Sequence, residues 1–437
     1  MTLIVSACMS DKVNIGRFDL ESSELAIRSS MHRIGGKMLE KILDLDDGCD
    51  EVRSIDGDDG RSYQFVEVRE KKLVSVLGPI KIRRAYYYDP LSKEGCCPKD
   101  AALDVVGTSF TPGIRRIMGR VGAYRPFGLG HEDIREISGI EVGAKEIERC
   151  SNRLGESVKE FFQKDSSLID ADNVIPFSKS SVFYVSMDGT GVPVVKAETR
   201  NRKGKGADGA AKTREVKLGC VFTQTTVDDK DRPVRDEHST SYVGAIETAE
   251  EFSKRIYAEA FRRGVEKAEN VCIVGDGARW IWNIAEEHFY GATQIIDLYH
   301  AREHYWNIAR MAYSRDGGRL KQWTNKRRKE LDRGRVDLVV KAMEKLSIAN
   351  KTDTETVLRE INYFKNNELR MQYADFKKRG FFVGSGVMEA GCRSVIGQRL
   401  KQSGMHWSVQ GANNIIALRC CFFSNRWEDF WEYRVLA

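Results

Sequence analysis

The chain has 437 residues, 41% hydrophobic and 31% charged, which provides core for two or three ordinary globular domains and excludes a disordered chain. Seventy Lys/Arg against 64 Asp/Glu leave a net charge of only +6, a mild excess that hides strong segregation along the sequence. No stretch approaches the roughly 18 to 20 consecutive apolar residues of a bilayer-spanning helix, and ten cysteines without a disulfide framework or a secretory leader predict reduced cytoplasm.

Residues 20 to 43 place Leu20, Leu25, Ile27, Met31, Ile34, Met38, Leu39 and Ile42 at helical spacing, which predicts a partner helix or core. Residues 44 to 59 carry eight acids against Arg53 alone, and the run from Asp44 to Gly60 reads as a connector. Tyr63 to Val68 and Leu73 to Tyr88 alternate as strands of a small β unit. That unit ends at Cys96-Cys97, a vicinal pair that supplies too few ligands for a closed tetrahedral zinc; free thiols are the alternative. From Thr108 to about Phe162 the pattern turns helical: Pro112 to Val121, His131 to Ser138, a turn at Gly139 to Val142, then a long helix faced by Ile147, Cys150, Leu154, Val158 and Phe161. This resembles a helix-turn-helix, although the third helix balances its lysines and arginines with glutamates, and a plain helical hairpin fits equally.

The second half opens with a buried strand, Val182 to Asp188, followed by strands at Val192 to Lys196 and Val216 to Thr225. Between the last two lies a basic glycine-rich loop with Arg200, Arg202, Lys203 and Lys205, suited to phosphates or simply a solvated excursion. A helix from Ala245 to Arg263 precedes strand Val271 to Val274, which delivers Asp276, and strand Thr293 to Ile296, which delivers Asp297. His300 lies one turn beyond Asp297, and by spacing the pair could be an N-cap with an ordinary helix histidine. Residues 301 to 345 carry thirteen Lys/Arg against six Asp/Glu, Lys326, Arg327, Arg328 and Lys329 among them, a surplus that suits a phosphate backbone or a solvated helical face. Trp306, Tyr313 and Trp323 there read as aromatic core before base-stacking groups. Gly384-Ser-Gly386 leads into a helix carrying Glu389 and Arg393 at i, i+4, with Ser385 as N-cap, and Ile415, Ile416, Leu418, Cys421, Phe422, Trp427 and Trp431 read as closing core.

Asp188, Asp276 and Glu389 are the most informative residues. Two acids at strand ends, each followed by glycine, and a third on a later helix fit a site in which two magnesium ions roughly 4 Å apart drive in-line attack on a phosphodiester. Either Asp-Gly alone is also ordinary turn chemistry. The order and separations match an interrupted ribonuclease-H-like core.

The strings Met187-Asp-Gly-Thr-Gly-Val-Pro193, Thr213-Arg-Glu-Val-Lys-Leu-Gly-Cys-Val-Phe-Thr-Gln224, Gly275-Asp-Gly-Ala278 with Trp280-Ile-Trp282, Asp297-Leu-Tyr-His-Ala-Arg302 and Val383-Gly-Ser-Gly-Val-Met-Glu-Ala-Gly-Cys392 resemble bacterial insertion-sequence transposases of the ISKra type. The resemblance runs from about residue 180 to the C-terminus and more loosely from about residue 72. It implies that Asp188, Asp276 and Glu389 are a DDE triad holding two Mg2+, with Mn2+ as a substitute. It also implies that Asp297 and His300 form an Asp-x-x-His signature near the site. Arg393 would contact phosphate if Glu389 binds metal. The Cys-x-x-Cys knuckle of such relatives is absent.

The expected fold class is α/β: a ribonuclease-H-like mixed sheet interrupted by an all-α insertion, after a small β unit and a helix-turn-helix-like region. Expected segments are 1–60, 61–107, 108–170 (DNA-binding), 171–300 (core), 301–380 (basic insertion) and 381–437 (closing helices). The expected function is metal-dependent cleavage at element ends and strand transfer on double-stranded DNA, by a cytoplasmic, nucleoid-associated homo-oligomer without a membrane. Alternatives are a transposase-derived DNA-binding regulator, or a metal-dependent nuclease or phosphatase without strand transfer.

Overall fold

The structure is a computed structural model, and it describes residues 19–45, 52–57, 60–167, 182–204, 209–314, 316–346 and 351–436. The chain is mixed α/β and divides into two compact units, Met1–Ser151 and Asn152–Ala437.

In the first unit, helix α1 (Leu20–Leu45) precedes an antiparallel four-strand meander, β1 (Ser54–Asp56), β2 (Ser62–Ser75), β3 (Gly78–Asp89) and β4 (Glu94–Cys96). The run expected as one strand from Leu73 to Tyr88 is folded into a hairpin, because Gly78 supplies the positive φ of 88° that its turn needs. The acidic run expected as a connector contributes β1, with Ser54 opposite Gln64; residues 46–51, 58 and 59 of that run lie outside the described residues. Alternation along β3 buries Ile80 and Ile82 with Leu73 and Val105, against Leu39 and Leu43 of α1. After a short helix, α2 (Pro98–Ala102), come α3 (Pro112–Tyr124), α4 (Phe127–Ser138) and α5 (Ala144–Ser167). Pro126 caps α4, which begins four residues before the expected His131, and Gly139 ends it at φ 69°. Ile114, Met118, Ile134, Ile140, Val142 and Ile147 form the core of these helices.

The division falls inside α5, so its later turns belong with the second unit rather than with an N-terminal module ending near 170. The reason is packing: a Cβ at Gly155 would lie 2.4 Å from the Asn414 carbonyl, and the Phe161 ring meets Phe430 at 5.9 Å.

The second unit is built on a five-strand sheet of order β11-β10-β5-β6-β9, comprising β5 (Val182–Pro193), β6 (Thr213–Gln224), β9 (Ser241–Ala245), β10 (Asn270–Gly275) and β11 (Thr293–Ile296). A small separate ribbon pairs β7 (Thr226–Val227) with β8 (Pro233–Val234). β5, β10 and β11 are parallel, while β6 runs antiparallel to both β5 and β9. Two sequence expectations change here. β5 does not end at Asp188 but continues through Gly189-Thr-Gly191 to Pro193, so Val192 belongs to β5; the third strand of the meander is β9, not Val216 to Thr225, which is the second.

One face of the sheet is covered by α6 (Ala249–Arg262), whose start is fixed by a Thr248–Glu251 capping box. Its Ile256 comes so close to β6 that a Cβ on Gly219 would sit 2.6 Å away. α7 (Arg279–His288) follows β10, and Leu298 to Lys378 then form helices α8 (Leu298–Ala312), α9 (Gly317–Asp332), α10 (Val336–Glu344), α11 (Lys351–Asn366) and α12 (Tyr373–Lys378).

The other face carries α13 (Gly386–Gly391), which passes through a π-helical stretch (Cys392–Gly397) into α14 (Gln398–Leu400). α15 (Val409–Phe423) and α16 (Trp427–Leu436) close the unit, with the expected stripe at Ile415, Ile416, Leu418, Cys421, Phe422, Trp427 and Trp431 buried. Among the described residues no helix is long and apolar enough to cross a membrane.

Gly391 sets how closely the Glu389 helix approaches the sheet, since an added Cβ would lie 2.5 Å from the buried Tyr242 ring. Gly391→Leu is expected to lower unfolding free energy by about 1–3 kcal/mol, measured by urea denaturation. A loss below about 0.5 kcal/mol, the level of a neutral surface change, would show that the helix does not depend on that contact.

Candidate metal centre

Alternation along β5 separates its two faces. Met187 looks toward the α6 side with Gly219 opposite, whereas Asp188 looks the other way with Leu218 opposite. Asp188 is half-buried, in a strand whose first six residues are fully buried. Ladder pairing through Asp188-Gly189 removes the turn reading for this residue.

The register of β10 on β5 places the second acid. The ladder of β10 on β5 ends with Val274 opposite Ser186, and Asp276, the residue after β10, lies close enough to Asp188 for its charge to act on that carboxyl. Adjacent strands are about 4.8 Å apart. Asp276 itself does occupy a turn: its Oδ1 accepts from the Ala278 N–H at 2.9 Å, and Gly277 has φ 102°. Here turn chemistry and a useful carboxylate coincide. The register continues one strand outward, where Gly275 pairs with Ile296 and the Asp297 N–H donates to the Gly275 carbonyl at 2.8 Å. Asp276 and Asp297 therefore each follow the last residue of a parallel strand, beside β5, which carries Asp188.

Their surroundings assign them different work. Burial pushes the Asp188 carboxyl above the ordinary carboxylate range; the hydrogen bond from Cys392 opposes that shift, the nearby charge of Asp276 adds to it, and His300 pulls it down. Asp188 accepts from the Gly189 N–H at 2.6 Å and from the Cys392 thiol at 3.3 Å. Burial and Asp188 in turn hold that thiol well above its ordinary value.

Asp297 is buried and saturated. Its Oδ1 accepts from the Tyr299 and His300 N–H groups at 2.6 and 2.8 Å, capping α8, and its Oδ2 accepts from both the N–H and the hydroxyl of Ser385. Ser385 thus stands at the N-cap position of α13 but turns its hydroxyl to Asp297 instead of the helix, which corrects the capping role expected for it. With both oxygens bonded, Asp297 is a positioning residue. His300 is partly exposed, its Nδ1 3.9 Å from Glu303.

Glu389 is solvent-exposed, one helical turn before Cys392. Residues three apart on a helix share a side, so the helix that touches Asp188 through Cys392 also carries Glu389 on that side of the sheet. Arg393 is likewise exposed, and the two make no ion pair with each other, since the helix changes to π spacing at Cys392. Among the described residues no three His, Cys, Asp or Glu side chains stand close enough to hold a metal ion by themselves. The donors at the sheet are nonetheless hard oxygens, and magnesium binds through one or two carboxylates with water and substrate phosphate completing its shell. Asp188 and Asp276 fit that demand, and their mutual repulsion is what a cation would relieve.

Tyr363 and Cys392 carried little sequence signal, whereas Lys401 and Trp407, with His406, follow Glu389 where the sequence allows a DNA end to run. Tyr363, 87 residues beyond Asp276, donates its hydroxyl to the Asp276 carbonyl at 2.9 Å and stacks on His304 at 3.9 Å, while His304 pairs with Glu360. Nothing local in the sequence marks it. Cys392 could have been found from its i+3 spacing to Glu389. Lys401 donates to the Thr190 hydroxyl at 2.5 Å, two residues along β5 from Asp188 and hence on the same face. Trp407 bridges the end of β5, its N–H donating to the Pro193 carbonyl at 3.1 Å.

Of the basic candidates, Arg200, Arg202 and Lys203 lie exposed on a narrow excursion closed by a Gly204–Gly209 hydrogen bond of 2.9 Å; Lys205 lies outside the described residues. Lys326, Arg328 and Lys329 are exposed on α9. Arg327 differs: it is buried, grips Glu330 at 2.6 and 2.8 Å, and stacks over Trp323. Its α9 phase turns it inward, so it is unavailable to a phosphate. Trp323 packs near the buried Tyr305 and near Tyr313, but Trp306, Tyr313 and Trp323 are each only partly buried, so the core role expected for these three aromatics is met only in part. Cys96 and Cys97 form no disulfide among the described residues, and Cys97 accepts from Arg84 at 2.8 Å.

No family model matches this chain, and a search of curated proteins finds no match either.

Because the Asp188 carboxyl is raised, the folded state holds its proton more tightly than the unfolded chain does. Ionisation therefore opposes folding above the folded value, and the effect vanishes below the ordinary carboxyl range near about 3.9. Asp188→Asn is expected to raise the melting temperature in metal-free buffer at pH 7, the gain shrinking as pH falls toward about 4. Magnesium should raise the melting temperature of the wild type and not of the variant. A variant less stable than wild type at pH 7 would contradict this account.

Proposed function

We propose that the chain is a metal-dependent DNA transposase of the DDE type, cleaving phosphodiesters at the ends of a mobile element and joining them to target DNA. The observation that carries this reading is the closeness of Asp188, on β5, and Asp276, directly after the adjacent parallel strand β10, whose charge acts on the Asp188 carboxyl. The order of the five strands supports it: an antiparallel meander, β5-β6-β9, followed by two strands parallel to the first, as a ribonuclease-H-like core requires. The likeness of the motif strings to ISKra-type transposases supports it as well.

Asp188 and Asp276 would hold the cation, with Glu389 completing the site by a side-chain rotation from its exposed position. What bound magnesium supplies is activation of the attacking water or 3′-hydroxyl and stabilisation of the leaving oxygen. The chain's own groups orient the rest. Asp297 ties the start of α8 to the loop before Glu389, holding the third acid's helix against the strands that carry the first two. Lys401, on the Asp188 face, is placed to neutralise a phosphate, and the exposed lysines and arginines of α9 and of the 200–204 excursion would track the backbone. The exposed position of Glu389 favours a second reading, a DNA-binding regulator that has lost catalysis, and the experiment separates the two.

Asp276→Asn keeps size and shape while removing a metal-binding charge. DNA binding should survive, while magnesium-dependent joining of pre-cleaved ends falls by orders of magnitude, read on a sequencing gel. A wild type that binds but never cleaves or joins would favour the regulator; cleavage without joining would favour a nuclease.

A second expectation follows from which cations are free. Reversing Lys326, Arg328 and Lys329 together should weaken DNA binding for all sequences and flatten its salt dependence, by a log–log slope of up to about three. Arg327→Ala should instead lower stability with little change in that slope, because its partner is Glu330. An unchanged slope in the triple variant would leave α9 as an ordinary solvated face.

A further inference from the structure

Helix α1 has two apolar faces, and the described residues of its own unit cover only one. On the covered side Gly36 is buried against Ile80, Leu39 and Leu43 pack on the sheet, and Glu40 accepts the Lys81 N–H at 2.9 Å. On the opposite side Leu20, Glu24, Ile27, Met31, Ile34, Met38, Lys41 and Leu45 recur at alternating steps of four and three, the seam of a two-stranded coil. All eight are solvent-exposed, the six apolar ones by 39% to 83%. The stripe runs the whole 26-residue helix, about 39 Å, far longer than scattered surface apolar residues account for.

The two charged residues in the seam identify the occupant. Glu24 and Lys41 sit near opposite ends, and neither has a partner among the described residues. When two such helices are laid antiparallel, the layers become Leu20 on the partner's Leu45, Glu24 on the partner's Lys41, Ile27 on the partner's Met38 and Met31 on the partner's Ile34, each occurring twice by symmetry. Every apolar residue then meets an apolar one, and both orphan charges are paired with opposite sign. A parallel pairing would put Glu24 against the partner's Glu24 and Lys41 against the partner's Lys41, which is repulsive at both ends. The stripe is thus complementary to itself in one orientation only, the property of a two-fold interface. Paired over this length it would bury on the order of 1,000 Å², the lower bound for a specific interface.

We infer that α1 is a homodimerisation helix, pairing antiparallel with α1 of a second copy of this chain. This inference does not rest on the catalytic reading.

The test is sedimentation velocity of the full-length protein over a concentration series, with circular dichroism as a check on folding. The wild type should be a dimer that dissociates on dilution. Lys41→Glu should raise the dimer dissociation constant by at least about tenfold, since it opposes two carboxylates in each end layer. The double exchange Glu24→Lys with Lys41→Glu should restore dimerisation to near the wild-type value, because it recreates the antiparallel pairs with their signs exchanged. Met31→Glu, at the centre, should leave a folded monomer. The proposal is overturned by a wild type that stays monomeric at every concentration, which would assign the stripe to some other partner. It is equally overturned by a dimer indifferent to Lys41→Glu, or by a double exchange that fails to restore what the single change removed.

Discussion

The parallel pairing of β5 with β10 and of β10 with β11 is the constraint on which the second unit depends. Once Ser186 is opposite Val274 and Gly275 opposite Ile296, Asp276 and Asp297 leave the ends of β10 and β11 beside the strand that carries Asp188. No side-chain interaction is needed to bring them there; backbone hydrogen bonds do it. The core then enforces the register, since β5 is buried on both faces and a slip of one residue would turn Phe183 and Val185 to the side now held by Tyr184 and Ser186.

Neighbouring strands do not make the three acids equivalent. Asp188 lies within a strand, under a helix, and is held in a setting that disfavours its charge. Asp276 sits at the end of its strand, with one oxygen in a turn and its carbonyl gripped by Tyr363. Asp297 is wholly consumed by backbone and hydroxyl donors, which is why burial at 1% exposure is tolerable for it. The bolt it forms between α8 and Ser385 joins the segment after β11 to the segment before Glu389 across 88 residues. A perturbed acid on β5 and a satisfied one after β11, with β10 between them, differ in how many donors each has.

The same distinction governs the cations. A count of charge along residues 301 to 345 treats all thirteen lysines and arginines alike, yet helix phase divides them. Arg327 points inward to Glu330, and Arg302 reaches Asp332 at 2.5 Å, whereas Lys326, Arg328 and Lys329 face solvent. Charge available to a ligand is therefore smaller than charge in the sequence, and Lys401, which no charge run marks, reaches the Asp188 face of β5 through its bond to Thr190.

What the sequence determined by itself is whatever depends on neighbours along the chain. Apolar β-branched runs at Val182, Val271 and Thr293 marked three strands, helical spacing marked α1, α5 and the closing stripe, and the Asp-Gly pairs marked places where a carboxylate leaves the core. Ser186 and Val274, two residues before Asp188 and Asp276, share their separation of 88 residues, and only pairing made that separation a register. What the tertiary structure decided depends on partners far along the chain. The strand through Asp188 continues past its glycines because β6 offers a full ladder. Ser385 abandons its own helix because Asp297 is closer, and Arg327 turns inward because Trp323 and Glu330 make a site for it. Local propensity is a matter of tenths of a kcal/mol up to about one per residue, so a ladder of hydrogen bonds or a buried carboxylate that must be satisfied overrides it wherever the two disagree.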